Sequence, residues 1–71
     1  MTKRASTIKK LKWELEQGGM VVASGEGPRD YALSDASHYA MMYRQDGSVC
    51  LYEVHKNGKR ELLLAATGSP K

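Results

Sequence analysis

The sequence predicts an α+β fold in which one N-terminal helix packs on an antiparallel sheet of three or four strands, arranged as a β-meander. Three observations support this: apolar residues at helical spacing near the N-terminus, a short β-branched run bounded by glycines, and two hairpin-turn dipeptides, Asp46-Gly47 and Asn57-Gly58. With 71 residues, 41% of them hydrophobic, the chain predicts a single small domain with a limited core. Residues 1–5 and 67–71 are expected to be mobile.

The N-terminal helix is predicted over residues 7–17. Its apolar residues recur at spacings of three and four, which places them on one helical face. They are Ile8, Leu11 and Leu15. Ser6 or Thr7 is suited to cap the first turn, because a side-chain oxygen can accept a free backbone N–H there. Gly18-Gly19 is suited to end the helix, because glycine adopts the left-handed conformation without steric cost.

Trp13 lies away from the apolar face of this predicted helix and among charged residues. A tryptophan at such a position either packs against another element of its own domain or anchors a partner. The sequence leaves both interpretations open. In the second, Trp13 is a partner-binding residue beside the N-terminal lysines.

The segment after the two glycines is predicted to be a strand. Residues 20–24 are short and rich in β-branched side chains. Residues 25–28 are expected to form a loop, because two glycines and a proline disfavour both a helix and a sheet ladder. A dinucleotide-binding glycine loop is not indicated, since no third glycine opens a helix.

Residues 31–45 have two interpretations. In one, Ser34 caps a helix with Ala36, Tyr39, Ala40 and Tyr43 on one face. In the other, which we favour, residues 39–44 form the first of three strands joined by two-residue turns. Apolar residues then match across the strands. One face pairs Tyr43–Cys50–Ala65, Met41–Tyr52–Leu63 and Tyr39–Val54–Glu61, and the other pairs Arg44–Val49–Ala66, Met42–Leu51–Leu64 and Ala40–Glu53–Leu62. The last two strands are the same in both interpretations.

One face of the predicted sheet is aromatic and rich in methionine. Its candidate partner-binding residues are Tyr39, Met41, Tyr43 and Tyr52. Because one helix cannot cover both faces, this face is either a second core layer or a surface covered by a partner. A second copy of the chain is one such partner, which would make the protein a homodimer. Tyrosine and methionine are both enriched at interfaces.

The charge is unevenly distributed along the chain, which carries a net charge of +3. Residues 1–12 contain five basic residues and no acid, namely Lys3, Arg4, Lys9, Lys10 and Lys12. Residues 13–54 contain two basic and seven acidic residues, and residues 55–71 contain four basic residues and one acid. A basic end of this kind attracts phosphates or acidic protein surfaces. The five N-terminal cations are therefore the candidate contacts to phosphate or to an acidic partner.

Motifs for catalysis, cofactors and metals are not indicated by the sequence. Cys50, His38 and His55 do not form the paired spacing of a structural zinc site. Cys50 and His55 are five residues apart, which places them on opposite faces of one strand and disfavours a thiol enzyme. A lone cysteine indicates a reducing, cytoplasmic setting. No apolar run reaches the roughly 20 residues that span a bilayer, so no membrane association is expected.

These observations favour a small non-catalytic regulatory protein that binds a larger protein assembly. A nucleic-acid machine such as the transcription apparatus (RNA polymerase) is the leading class of partner, because a basic end suits an acidic surface or nearby nucleic acid. The composition is also typical of compact regulators, including small phage- and plasmid-encoded proteins. The alternative is a direct, weakly specific DNA- or RNA-binding protein that uses the basic N-terminal segment.

Overall fold

A computed structural model describes residues 10–68 and has an α+β architecture with a four-stranded antiparallel sheet. The elements are β1 (Lys10–Gln17), β2 (Met20–Pro28), α1 (Arg29–Tyr43), a 3-10 turn (Arg44–Asp46), β3 (Val49–Val54) and β4 (Arg60–Ala66). The strands lie in the order β2-β1-β3-β4. The predicted α+β class with an antiparallel sheet is therefore confirmed, but the helix lies between β2 and β3 instead of at the N-terminus, and the strand order is not that of a β-meander.

The segment predicted as the N-terminal helix is a strand from Lys10 onward. Its apolar residues Leu11 and Leu15 satisfy a helical period, but together with Trp13 they also satisfy the two-residue period of a strand. Gly18 and Gly19 have φ of 63° and 82°, which suits the two-residue hairpin turn between β1 and β2. The predicted cap at Ser6 or Thr7, and Ile8, lie outside the described residues.

β2 confirms the predicted strand at residues 20–24 and continues through Gly25 to Pro28, where a loop was expected. The ladder with β1 pairs Trp13 with Gly25 and ends at Lys10 and Pro28. The local composition of residues 25–28 indicated a break in the strand. The strand continues because β1 pairs with these residues and supplies their backbone hydrogen-bond partners.

α1 confirms the alternative interpretation of residues 31–45, and the favoured first strand of a meander is wrong. The helix begins after Pro28 and places Ala32, Ala36 and Ala40 on one buried stripe. Asp46-Gly47 does not form a two-residue hairpin turn: a 3-10 turn ends there, and Gly47 has φ 147°. Alternating apolar residues in this segment indicated a strand, but the four-residue alanine spacing fits the sheet surface better.

The β3–β4 hairpin confirms the predicted register far from the turn and shifts it by one residue near the turn. The confirmed pairs are Val49–Ala66, Cys50–Ala65 and Leu51–Leu64, and the shifted ones are Tyr52–Leu62, Glu53–Glu61 and Val54–Arg60. The turn has three residues instead of two, because the His55 N–H donates to the Lys59 carbonyl at 2.8 Å and Gly58 has φ 88°. A β-bulge at Leu63 absorbs the extra residue and restores the predicted register.

The core lies between α1 and one face of the sheet, and the other face, here called the open face, has no helix among the described residues. The buried residues are Leu11, Trp13, Leu15, Ala32, Ala36, Ala40, Val49 and Leu51. α1 contributes only alanines to this set. Small side chains allow the helix axis to approach the sheet closely, and Leu33 and Tyr43 of the helix pack, partly buried, against the same core.

The end of α1 is tied to β1 by one side chain. The Gln17 amide donates hydrogen bonds to the carbonyls of Tyr43, at 2.6 Å, and Gly47, at 3.1 Å.

Gln17→Ala should therefore lower the free energy of unfolding by about 1–3 kcal/mol, because it leaves two partly buried carbonyls without this donor. Urea denaturation measures the loss. Gln45→Ala, an exposed amide in the 3-10 turn, is the control and should change stability by less than about 0.5 kcal/mol. Equal effects of the two variants would contradict the role given to Gln17.

Candidate functional site

The outward side of α1 exposes four large apolar residues, which we call the outer helix face. They are Tyr31 (74% exposed), Tyr39 (41%), Met41 (60%) and Met42 (50%). The fully buried residues of the helix are all alanines, with Leu33 and Tyr43 packed beside them against the core. This distribution is the reverse of the usual amphipathic helix, in which large apolar residues face the core. Exposed large apolar residues of this kind make the helix a candidate contact surface.

The structure separates the residues predicted to form one aromatic face. Tyr39 and Met41 are both exposed on α1, but positions two residues apart on a helix point in different directions, and Tyr39 lies on the flank that reaches Trp13. Tyr43 is half-buried, and its hydroxyl donates to the Val22 carbonyl at 3.3 Å. Tyr52 lies on the opposite side of the molecule, on the open face of the sheet. These four residues therefore do not form a continuous surface.

Two residues of the outer helix face, Tyr31 and Met42, were not identified as candidates from the sequence. The helical interpretation of residues 31–45 could have identified them, because it places a stripe of alanines on the inward side of the helix. Once Ala32, Ala36 and Ala40 face the sheet, the helical period places Tyr31 and Met42 on the side of α1 that is turned away from it.

Trp13 is buried, with 2% of its surface exposed, and is not accessible to a partner in this fold. Its ring lies 5.8 Å from that of Tyr39, and its indole packs directly on Gly25. The prediction placed Trp13 at a polar helical position. In the strand that actually forms, residues 11, 13 and 15 share the side that faces the helix. The interpretation that Trp13 packs within its own domain is the correct one.

The open face carries a charged network centred on Arg60 of β4. Its guanidinium contacts Glu16 on β1 at 2.5 Å and Glu14 at 3.5 Å, and lies 4.2 Å from the centre of the Tyr52 ring. The pKa of Arg60 is raised above its ordinary value, first by the hydrogen bond to Glu16. Arg60 therefore stays charged, and it offsets two of the acidic residues on this face.

The basic end of the described chain opens onto a groove between β1 and the β3–β4 hairpin. β1 pairs with β3 only from Trp13 to Glu16, so Lys10 and Lys12 extend beyond the end of that ladder. The groove has a volume of about 760 Å³ and is lined by Lys10, Lys12, Glu26, Glu53, Val54, His55 and Lys56. Of the five predicted phosphate contacts, Lys10 and Lys12 are exposed here, and Lys3, Arg4 and Lys9 lie outside the described residues.

A third cluster, Glu53, His55 and Glu61, lies where the β3–β4 hairpin begins to turn. The His55 Nε2 is 3.1 Å from a Glu61 carboxylate oxygen, and its Nδ1 is 4.0 Å from Glu53. Arg29 also approaches Glu53, at 3.5 Å. The His55 imidazole contacts Glu53 on the helix-facing side of the sheet. Cys50 is paired with Glu16, whose side chain lies on the open face. The Cys50 thiol and the His55 imidazole therefore point to opposite sides of the sheet.

Comparison with known proteins and structures identifies no relative of this chain. A scan against protein-family models, a search of curated proteins and a search of solved structures each found no match. In residues 10–68, no helix has the length and apolar character needed to cross a bilayer. The surfaces described above are therefore the basis on which a function can be inferred.

Proposed function

We propose that the protein is a non-catalytic regulator that binds a larger protein assembly through the outer helix face. The observation that supports this is the reversed helix: alanines face the sheet, while Tyr31, Met41 and Met42 are each at least half exposed. Folding alone gains nothing from placing these side chains in water. Burial of these side chains against a partner would remove their apolar surface from water and so stabilise the complex.

The chemistry of the face suits a protein partner. Aromatic residues and methionine are enriched at protein interfaces, where charged residues are depleted at the centre. Methionine also adapts its shape to an irregular surface, because it has three rotatable bonds and a polarizable sulfur. Tyr31 and Tyr39 add hydroxyl groups that can find hydrogen-bond partners at the rim of a contact.

The basic end supports a nucleic-acid-associated assembly, such as the transcription apparatus, as the class of partner. Lys10, Lys12 and Lys56 line one groove, and a cluster of cations attracts acidic protein surfaces and nucleic acid alike. A regulator that contacts a protein with its helix and nearby phosphates with its lysines would use both features.

A second candidate function is direct, weakly specific binding of DNA or RNA. The three lysines of the groove favour it, because phosphate contacts by lysine supply non-specific affinity. Glu26 and Glu53 line the same groove and weaken its positive potential. This makes the second candidate the less well supported of the two.

Replacing two residues of the outer helix face tests the first candidate. The variant with Tyr31→Glu and Met41→Glu should capture its protein partner at least about thirtyfold more weakly, since one central interface residue alone contributes about 2 kcal/mol or more. Leu62→Glu is the matched control, because Leu62 is similarly exposed (53%) but lies on the open face. Affinity capture from lysate of the source organism, with circular dichroism to confirm folding, measures the difference.

Nuclease treatment and salt separate the two candidates. A protein partner should remain bound after nuclease digestion, and its capture should depend more on the outer helix face than on salt. Capture that disappears with nuclease and falls steeply with salt would contradict the proposal and favour direct nucleic-acid binding. A purified homodimer that the helix-face variant dissociates would assign the face to a second copy of the chain, which would also contradict it.

A further inference from the structure

We propose that Glu53, His55 and Glu61 form a binding site for one divalent transition-metal ion of the Zn²⁺ class. One ligand atom from each of the three side chains lies within 4.8 Å of the other two. Two carboxylates and one imidazole provide the mixed oxygen and nitrogen donors that such ions accept. The inference does not rest on the outer helix face, because none of these residues belongs to it.

The register of the β3–β4 hairpin creates this cluster. Glu53 and Glu61 are directly paired across the two strands, and His55 follows Glu53 at the start of the turn. Two carboxylates opposite each other on neighbouring strands repel one another and weaken the pairing. A cation bound between them removes this repulsion, so ion binding and folding favour each other.

The donor set selects among metals. Mg²⁺ and Ca²⁺ prefer sites made only of oxygen atoms, whereas an imidazole nitrogen favours Zn²⁺ and other late first-row ions. Three protein ligands leave one position of a tetrahedral ion open to water or to another group. Glu53 and His55 also line the groove, so the ion would lie at its edge.

Binding requires a small closure of the three side chains. Bonds of about 2.0–2.2 Å to one ion bring ligand atoms to about 3.4 Å from each other. His55 and Glu61 are 41% and 66% exposed, which leaves them free to adjust. Glu53 is instead held by Arg29, whose guanidinium is 3.5 Å away. Arg29 is therefore a competitor of the ion for this carboxylate.

Calorimetric titration with ZnCl₂ tests the site, with Cys50→Ser as the background so that the thiol does not bind the ion. We expect one equivalent of Zn²⁺ to bind and Mg²⁺ to give no response. His55→Ala and Glu61→Gln should each weaken binding by about tenfold or more. The matched controls His38→Ala and Asp35→Asn replace exposed groups on α1 and should leave it unchanged. Arg29→Gln should strengthen binding, because it frees Glu53.

Thermal unfolding provides a second readout, since an ion that binds only the folded protein raises the melting temperature. Zn²⁺ should raise it in the background protein and not in His55→Ala. The proposal is overturned if millimolar Zn²⁺ produces neither heat nor a shift in melting temperature. It is equally overturned if His55→Ala binds as tightly as the background protein, or if His38→Ala is the variant that loses binding.

Discussion

Trp13→Ala should lower the free energy of unfolding by about 3–5 kcal/mol, the usual effect of truncating a buried aromatic residue. Trp13 is 2% exposed and lies between Gly25 and Tyr39, so its loss leaves a cavity at the centre of the helix–sheet interface. A core of this size supplies only about 3–5 kcal/mol in total. The variant is therefore expected to be largely unfolded at room temperature, as measured by far-ultraviolet circular dichroism.

Two further variants keep this prediction testable if Trp13→Ala does not fold. Trp13→Phe retains most of the volume and should fold with a lower urea midpoint than the parent protein. Tyr39→Ala removes the neighbouring ring but leaves the core filled, and it should cost about 0.5–1.5 kcal/mol. Parent-like unfolding of Trp13→Ala would show that the indole is not a core residue, and would restore Trp13 as a candidate surface anchor.

Gly25→Ala should lower the free energy of unfolding by about 1–3 kcal/mol, although alanine is normally accepted in a strand. A Cβ atom at position 25 would lie 2.9 Å from Cζ2 and Nε1 of Trp13, closer than real contacts of this kind. The indole cannot bend, so either the ring or the β1–β2 ladder must shift. Equilibrium denaturation in urea measures the loss.

Gly27→Ala is the matched control for this prediction. Gly27 is the next glycine on β2, two residues after Gly25, and a Cβ atom there would have no neighbour within 4 Å. Its substitution should change stability by less than about 0.5 kcal/mol. If both variants lose the same stability, the effect belongs to strand backbone conformation and not to the packing of Trp13.

The sequence was informative where local chemistry decides the structure. Gly18-Gly19 does end an element, although that element is a strand and not the predicted helix, and Asn57-Gly58 marks the last hairpin, whose distal register was predicted correctly. Residues 10–17 were ambiguous because Leu11 and Leu15 fit both a helix and a strand. Pairing with the strands β2 and β3 decides between the two periods, and β3 is more than thirty residues away in the sequence.

The candidate sites depended on features that the sequence does not specify locally. A two-residue turn would have paired Glu53 with Leu62 and placed Glu61 opposite Val54. The third turn residue moves Glu61 to the position opposite Glu53, which is what assembles the carboxylate–imidazole cluster. In the same way, Tyr31 and Met42 became surface candidates only when the helical interpretation of their segment proved correct.

The sheet consists of two hairpins joined by a short seam, the β1–β3 ladder, and this arrangement determines where unfolding begins. β1 and β3 are paired over four residue pairs, whereas β1 is paired with β2 over eight. α1 packs mainly on β1 and β2 and spans the seam only in part. Thermal opening should therefore begin there, with the second hairpin detaching as one piece while the helix stays docked on the first.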